Sequence, residues 1–324
     1  METFDTERIN SIIEKQLAAW PEAKENYLRL HETERKRLQI GDVTFAAQWN
    51  PGRIKSTGAK VDAATVASRA CFLCAANRPK EQVPIKLMEG WELLVNPYPI
   101  FPVHFTIVSE RHRPQDEIPI EMAAMAEAMP SLAIFFNGAR AGASAPDHAH
   151  VQAVLKQELP LLRIAEELHP SSHPGFMTSR EMEAESGRKL PFYFVSAVIT
   201  PDLVGMHTLA HIPDICGIDK KTHMGDKGLV NAFFWMGDDG LLRALIVPRG
   251  KHRPECYSTE PGSGMTVSPG AIDMAGIMIL PRREDFDSID ADTAARIYEE
   301  VSSEPLTEPF LIPQQPKPDE DENA

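Results

Sequence analysis

Two short segments, one in each half of the chain, repeat a single pattern. Phe105–Gln115 reads "FTIVSERHRPQ" and Ala244–Glu255 reads "ALIVPRGKHRPE". Each is an apolar run ending in Ile-Val, then a short basic turn, then His-Arg-Pro, with the second turn one residue longer. Another apolar run precedes each ("WELLVNPYP" and "NAFFWMG"), and a further one follows each ("HAHVQAVL" and "MAGIMILP"). A repeat of strand, turn and strand implies two related antiparallel α+β modules rather than a parallel α/β sheet. The second copy lacks the His-x-His pair that follows the first, so its expected part is to complete a pocket.

Around this repeat the chain is expected to divide into a helical segment over 1–41, a first half over 42–160, a second over 161–310 and a disordered acidic tail over 311–324. Ile9, Ile12, Ile13, Leu17 and Trp20 recur at helical spacing behind Asp5 or Thr6 as cap, and the charged run after Pro21 is read as more helix. Met122, Met125 and Met129 are expected to pack a core along a helix. The formal net charge of the 324 residues is -14, which leaves no overall basic footprint for nucleic acid. No apolar run is long enough to span a membrane and the N-terminus lacks a secretory pattern, so the expectation is a cytoplasmic protein.

The chemistry concentrates in "GASAPDHAHVQAVLK", Gly142–Lys156. On a strand, His148, His150 and Gln152 share one face. Neutral imidazole attacks phosphorus when its other nitrogen is held by a hydrogen bond, and an amide such as Gln152 donates to phosphoryl oxygens. Upstream, "CFLC" places Cys71 and Cys74 in one tight turn, half of a tetrahedral metal site. Further ligands are available in the same half from His104, His112 and His148, and a redox pair is the competing reading of the cysteines. Phosphate-binding candidates are Arg53, Lys55 and Lys60 in "NPGRIKSTGAK" and Arg140 beside the histidine motif. His207, His211 and His223, near Cys216, are read as surface or substrate-loop residues.

"FFNGARAGASAPDHAHVQ", with "CFLC" upstream and "SERHRP" between, resembles the His-x-His-x-Gln branch of the histidine-triad superfamily. That branch holds galactose-1-phosphate uridylyltransferases, diadenosine tetraphosphate phosphorylases and GDP-L-galactose phosphorylases. The resemblance spans Asp42 to Lys156 and extends faintly to "GIMILPRREDFDS". It implies a histidine-triad-like antiparallel sheet with flanking helices, two related halves in one unit. It makes His150 the nucleophile and Gln152 a ligand of the phosphoryl oxygens, helped by Ser144 and Asn137. It also implies a structural zinc on Cys71, Cys74, His112 and His148. The activity implied is nucleotidyl transfer or phosphorolysis through a nucleotidyl-histidine. The substrate would be a nucleotide sugar, preferably a nucleoside diphosphate hexose, or a dinucleoside polyphosphate, and the acceptor phosphate, a sugar phosphate or water. A homodimer is left open, and the competing class is a zinc-stabilised nucleotide-binding protein without catalysis. One departure stands out: Asp147 is inserted between Pro146 and His148, where the family lead-in runs Gly-x-Ser-x-Pro-His.

Overall fold

The architecture comes from a computed structural model that describes residues 2–58, 63–202, 205–210 and 228–304, with the side chains of 55, 56 and 63 outside the described set. The expected acidic tail, Lys60, His211, Cys216 and His223 lie outside the described residues.

Largely continuous apolar runs build a nine-stranded sheet in the order β3-β4-β5-β7-β6-β10-β11-β9-β8, antiparallel throughout. Its strands are β3 (Ile85–Met88), β4 (Trp91–Val95), β5 (His104–Ser109), β6 (Leu132–Asn137), β7 (His150–Leu155), β8 (Gly175–Thr178), β9 (Val195–Ile199), β10 (Val230–Met236) and β11 (Leu242–Pro248). The repeat seen in sequence becomes two antiparallel pairs, β4 with β5 and β10 with β11. The halves meet where β6 pairs with β10, Phe135 opposite Phe233. The third apolar stretch breaks the correspondence. Its first copy is β7, inside the large sheet, whereas the second is β12 (Ile277–Leu280), which pairs parallel to β2 (Val43–Trp49) in a separate sheet of order β1-β2-β12.

The helix Thr6–Ala19 forms as expected, with the Asp5 carboxylate accepting from the Arg8 N–H at 2.8 Å and Ile9 and Ile13 buried. The charged run that follows is helical only in part. Pro21–Leu28 is a helix, but from Glu34 the chain becomes strand β1 (Glu34–Ile40), correcting the expectation of helix through the first forty residues. The reason is tertiary: Leu38 and Ile40 are buried on one face of a hairpin with β2, while Arg37 and Gln39 face outward. Gly41 turns that hairpin at φ +59°, where a Cβ would lie 2.6 Å from the Lys189 carbonyl oxygen.

Both faces of the large sheet are buried, as the continuous apolar runs of β6 and β10 require. Phe135, Phe233, Trp235 and Leu245 pack toward the smaller sheet and the helix Ala291–Val301. Ile134, Phe136, Phe234 and Ile246 face the other way, against Met122, Met125 and Met129 of the helix Met122–Ala128 and its following residue. The three methionines are fully buried, as their spacing implied. Among the described residues, no helix is long and apolar enough to cross a membrane.

Candidate active site

Strand β7 sits between β5 and β6, which fixes its register on both sides: Gln152 lies opposite Thr106 on β5 and Phe135 on β6. The strand begins at His150, so His148 occupies the bend before it. This sends the two histidines to different tasks.

His150 is 4% exposed, and its Nδ1–H donates to the carbonyl of His148 at 2.8 Å. A carbonyl only accepts, so the proton sits on Nδ1 and the Nε2 lone pair is left toward the cavity that His150 lines. Burial pushes its pKa down to about 4, outweighing the carbonyl bond, so the ring is neutral at pH 7. The backbone of His150 is clamped by Gln115, a fully buried side chain. The Gln115 amide donates to the carbonyls of His150 (2.6 Å) and Asn137 (2.9 Å) and accepts from the N–H of His150 (2.7 Å).

Gln152 is oriented by a second relay. The N–H of Ile100 donates to His104 Nδ1 at 3.1 Å, which places the His104 proton on Nε2; that N–H donates to Gln152 Oε1 at 2.8 Å. The NH₂ of Gln152 therefore faces the cavity. Asn137 is set the same way, its Oδ1 accepting from the Ala271 N–H at 2.7 Å and from Asn231 at 3.1 Å. His104 is thus a hydrogen-bond anchor, and burial lowers its pKa to about 3.

The second cluster gathers Cys71, Cys74, His112 and His148, whose donor atoms all lie within 4.8 Å of one another. Sγ of Cys71 is 3.3 Å and Sγ of Cys74 3.5 Å from His148 Nδ1, and Cys74 is 3.2 Å from His112 Nδ1. Zinc with two thiolates and two imidazoles spaces sulfur and nitrogen by about 3.5 Å, so the donor set and spacing fit that metal. His148 donates Nε2–H to the Ser109 carbonyl at 2.8 Å, which leaves Nδ1 unprotonated for a metal. Burial pushes the Cys71 thiol up to about 11, the opposite of what a reactive redox cysteine needs.

Asp147, the inserted residue, pairs with Arg69 at 3.4 Å and lies 4.0 Å from His112 Nε2. Arg69 also donates to the Ser144 carbonyl at 2.9 Å. The insertion therefore ties the lead-in loop to the segment before the cysteines, and Ser144 still lines the cavity. The loop also needs Gly142 (φ +98°), where a Cβ would lie 2.5 Å from Gly270 Cα.

These elements enclose a cavity of about 600 Å³. His150, Gln152, Asn137 and Arg53 all reach it. Arg53 donates to the Tyr98 carbonyl at 2.7 Å, and burial lowers its pKa to about 10 against the charge of Asp273. Arg140 is exposed and is not among the lining residues; its backbone N–H donates to the Gly228 carbonyl at 2.9 Å. Lys55 has its side chain outside the described residues, and His207 is exposed. Sequence reasoning passed over Gln115, Asp273, His252 and Arg253. The last two carried a signal, the second His-Arg-Pro; Gln115 carried only its place one residue after the first.

The chain matches, over residues 12–155, a family described as a domain of unknown function (DUF4922). No curated protein sequence matches it. Among solved structures, the yeast Ap4A phosphorylase Apa2 in complex with AMP superposes with a TM-score of 0.56 at 13% identity, covering 93% of this chain and 99% of that one. The same yeast enzyme in complex with Ap4A gives 0.56 at 12% identity, covering 91% and 97%. The chain has the α+β fold of the yeast Ap4A phosphorylase.

Proposed function

We propose that this chain is a nucleotidyltransferase of the phosphorylase type, cleaving a nucleotide sugar or a dinucleoside polyphosphate through a nucleotidyl-His150 intermediate. The observation that carries the reading is the tautomer of His150: Nδ1–H is spent on the His148 carbonyl, so Nε2 keeps the free lone pair of a ring that lines the cavity. A shared fold with a protein whose structures hold AMP and Ap4A supports a nucleotide as ligand.

In this reading His150 Nε2 attacks the α-phosphorus, the bond to the leaving oxygen breaks, and that oxygen keeps the electron pair. The imidazolium so formed is stabilised by its Nδ1–H bond to a carbonyl. The NH₂ groups of Gln152 and Asn137 meet the charge gathering on the phosphoryl oxygens. Cys71, Cys74, His112 and His148 are the residues that would hold zinc, which would supply a tetrahedral cross-link with no open position. Its place beside His150 makes it a brace for the start of β7. A nucleoside diphosphate hexose is the preferred substrate, from the likeness of "GIMILPRREDFDS" to the hexose phosphorylases; Ile279 of that segment lines the cavity.

The test is trapping. Full-length protein is mixed with nucleotide sugars and dinucleoside polyphosphates labelled at the α-phosphorus, then quenched in alkali, where phosphohistidine survives. The wild type should hold label that inorganic phosphate discharges, and His150→Asn should hold none. Absence of both label and phosphate exchange across the panel overturns the proposal and leaves a nucleotide-binding protein.

A further inference from the structure

The two His-Arg-Pro tripeptides end in different surroundings. His112 turns onto the cysteine cluster, whereas His252 and Arg253 line the cavity that contains His150. Three separate parts of the chain hold Arg253 there. Its Nε donates to Ser268 Oγ at 3.0 Å, one terminal nitrogen donates to the Thr57 carbonyl at 3.4 Å, and its guanidinium lies 4.0 Å over the Tyr257 ring. Ser268 lines the same cavity. Such anchoring presents a guanidinium in one geometry, the condition for fork-like recognition of a phosphate. His252 beside it is half-buried and neutral, its pKa lowered to about 4 by loss of solvent and by the charges of Arg253, Arg249 and Arg140.

Arg53, Arg69 and Arg253 line this space together with Glu22 and Asp273, and Arg69 is paired with Asp147. The α-phosphoryl group belongs with Gln152 and Asn137 near His150, whose amides are already aimed. Arg253, which lines the cavity from the second copy of the repeat beside His252 and Ser268, is the group placed for a second phosphate.

We propose that Arg253, with His252 and Ser268, forms the subsite for the phosphate that departs from His150's substrate and for the inorganic phosphate that replaces it. The subsite rests on the reading of the cavity as a nucleotidyl-transfer site. In the first step the P–O bond breaks as the Nε2–P bond forms, and the departing phosphate leaves with the electron pair, held by Arg253. In the second, an oxygen of inorganic phosphate forms the new P–O bond, and the P–N electron pair returns to Nε2. The second copy of the repeat thus supplies leaving-group and acceptor recognition, while the first supplies the nucleophile.

Calorimetric titration of the full chain with inorganic phosphate, and separately with adenosine and uridine monophosphates, tests this. Arg253→Gln should weaken phosphate by about tenfold or more and leave the affinity of the preferred monophosphate within about twofold. Ser268→Ala, which keeps the guanidinium but frees its Nε, should weaken phosphate by about threefold. Thermal unfolding reports whether the variants stay folded; if Arg253→Gln does not, Arg253→Lys carries the test, since it keeps the charge, loses the fork and must still weaken phosphate. Equal phosphate affinity in the wild type and the folded Arg253 variant overturns the subsite, as does a wild type that binds no phosphate. The covalent trapping experiment is separate, so a labelled enzyme with unaltered phosphate binding rejects the subsite alone.

Discussion

Gln115→Leu isolates the clamp behind the nucleophile. Gln115 is fully buried and makes three hydrogen bonds of 2.6 to 2.9 Å, two of them to the backbone of His150. Leucine fills most of the volume but returns none of the bonds. The His150 N–H then loses its partner inside the protein, and the carbonyls of His150 and Asn137 each lose a donor. An orphaned buried group costs about 1–3 kcal/mol, and the carbonyls keep a second lone-pair site, so a total of about 3 kcal/mol is expected. In denaturant unfolding this appears as a lower midpoint at unchanged slope. The catalytic effect should exceed the stability effect on folded protein, because the start of β7 can then shift and a misplacement of about 1 Å costs on the order of a hundredfold in rate. Single-turnover labelling of His150, measured well below the unfolding midpoint, reads this directly. A Gln115→Leu protein with wild-type midpoint and wild-type labelling rate would refute the reasoning. It would mean that pairing with Val108 on β5 suffices to hold His150.

Two further outcomes follow from the site. Purified protein should carry close to one zinc per chain by elemental analysis, and Cys71→Ser should lose it together with thermal stability, whereas a metal-free wild type of equal stability rules out the brace. Acid should destabilise the fold early: the pKa values of His150, His169 and His252 are lowered to about 4 and that of His104 to about 3, all by burial, against an unfolded value of about 6.5. Between those values the unfolded chain binds more protons, so stability is complete above pH 6.5 and falls as pH drops toward 4, by at most about 1.4 kcal/mol per pH unit for each histidine. Urea midpoints measured from pH 7.5 to 4.5 check this, and a flat profile contradicts it.

His150 and Gln152 were legible as neighbours because residues two apart on a strand share a face, and both line the cavity. The cysteines were legible by type, whereas the choice of His112 and His148 over His104 came from the family resemblance, and the structure gathers those four. Arg140, named for its place beside the motif, does not line the cavity, though its charge acts on His252, which does. The helix expected through Gln39 failed because a charged run is compatible with helix or strand until a partner strand buries Leu38 and Ile40. The relays behind the site were illegible in principle. Gln115 and His104 act through backbone groups far along the chain, and no local pattern marks a side chain whose partner is another residue's carbonyl or amide. His252 and Arg253 lay between these cases, visible as a repeat but without the packing that decides which copy faces the cavity.

The pairing of β6 with β10 makes the two halves one sheet, and the cavity takes its walls from both. One wall stands on the large sheet, through Phe135, Asn137, His150 and Gln152, and the facing wall is built from His252, Arg253, Ser268 and Ile279, outside that sheet. In the proposed reaction the departing group and its replacement share the Arg253 subsite, so the first has to be gone before the second can enter. Alternation of the two half-reactions is then enforced by space as well as by the covalent bond, and phosphate added in excess should act first as an inhibitor of labelling and only afterwards as the agent that releases it.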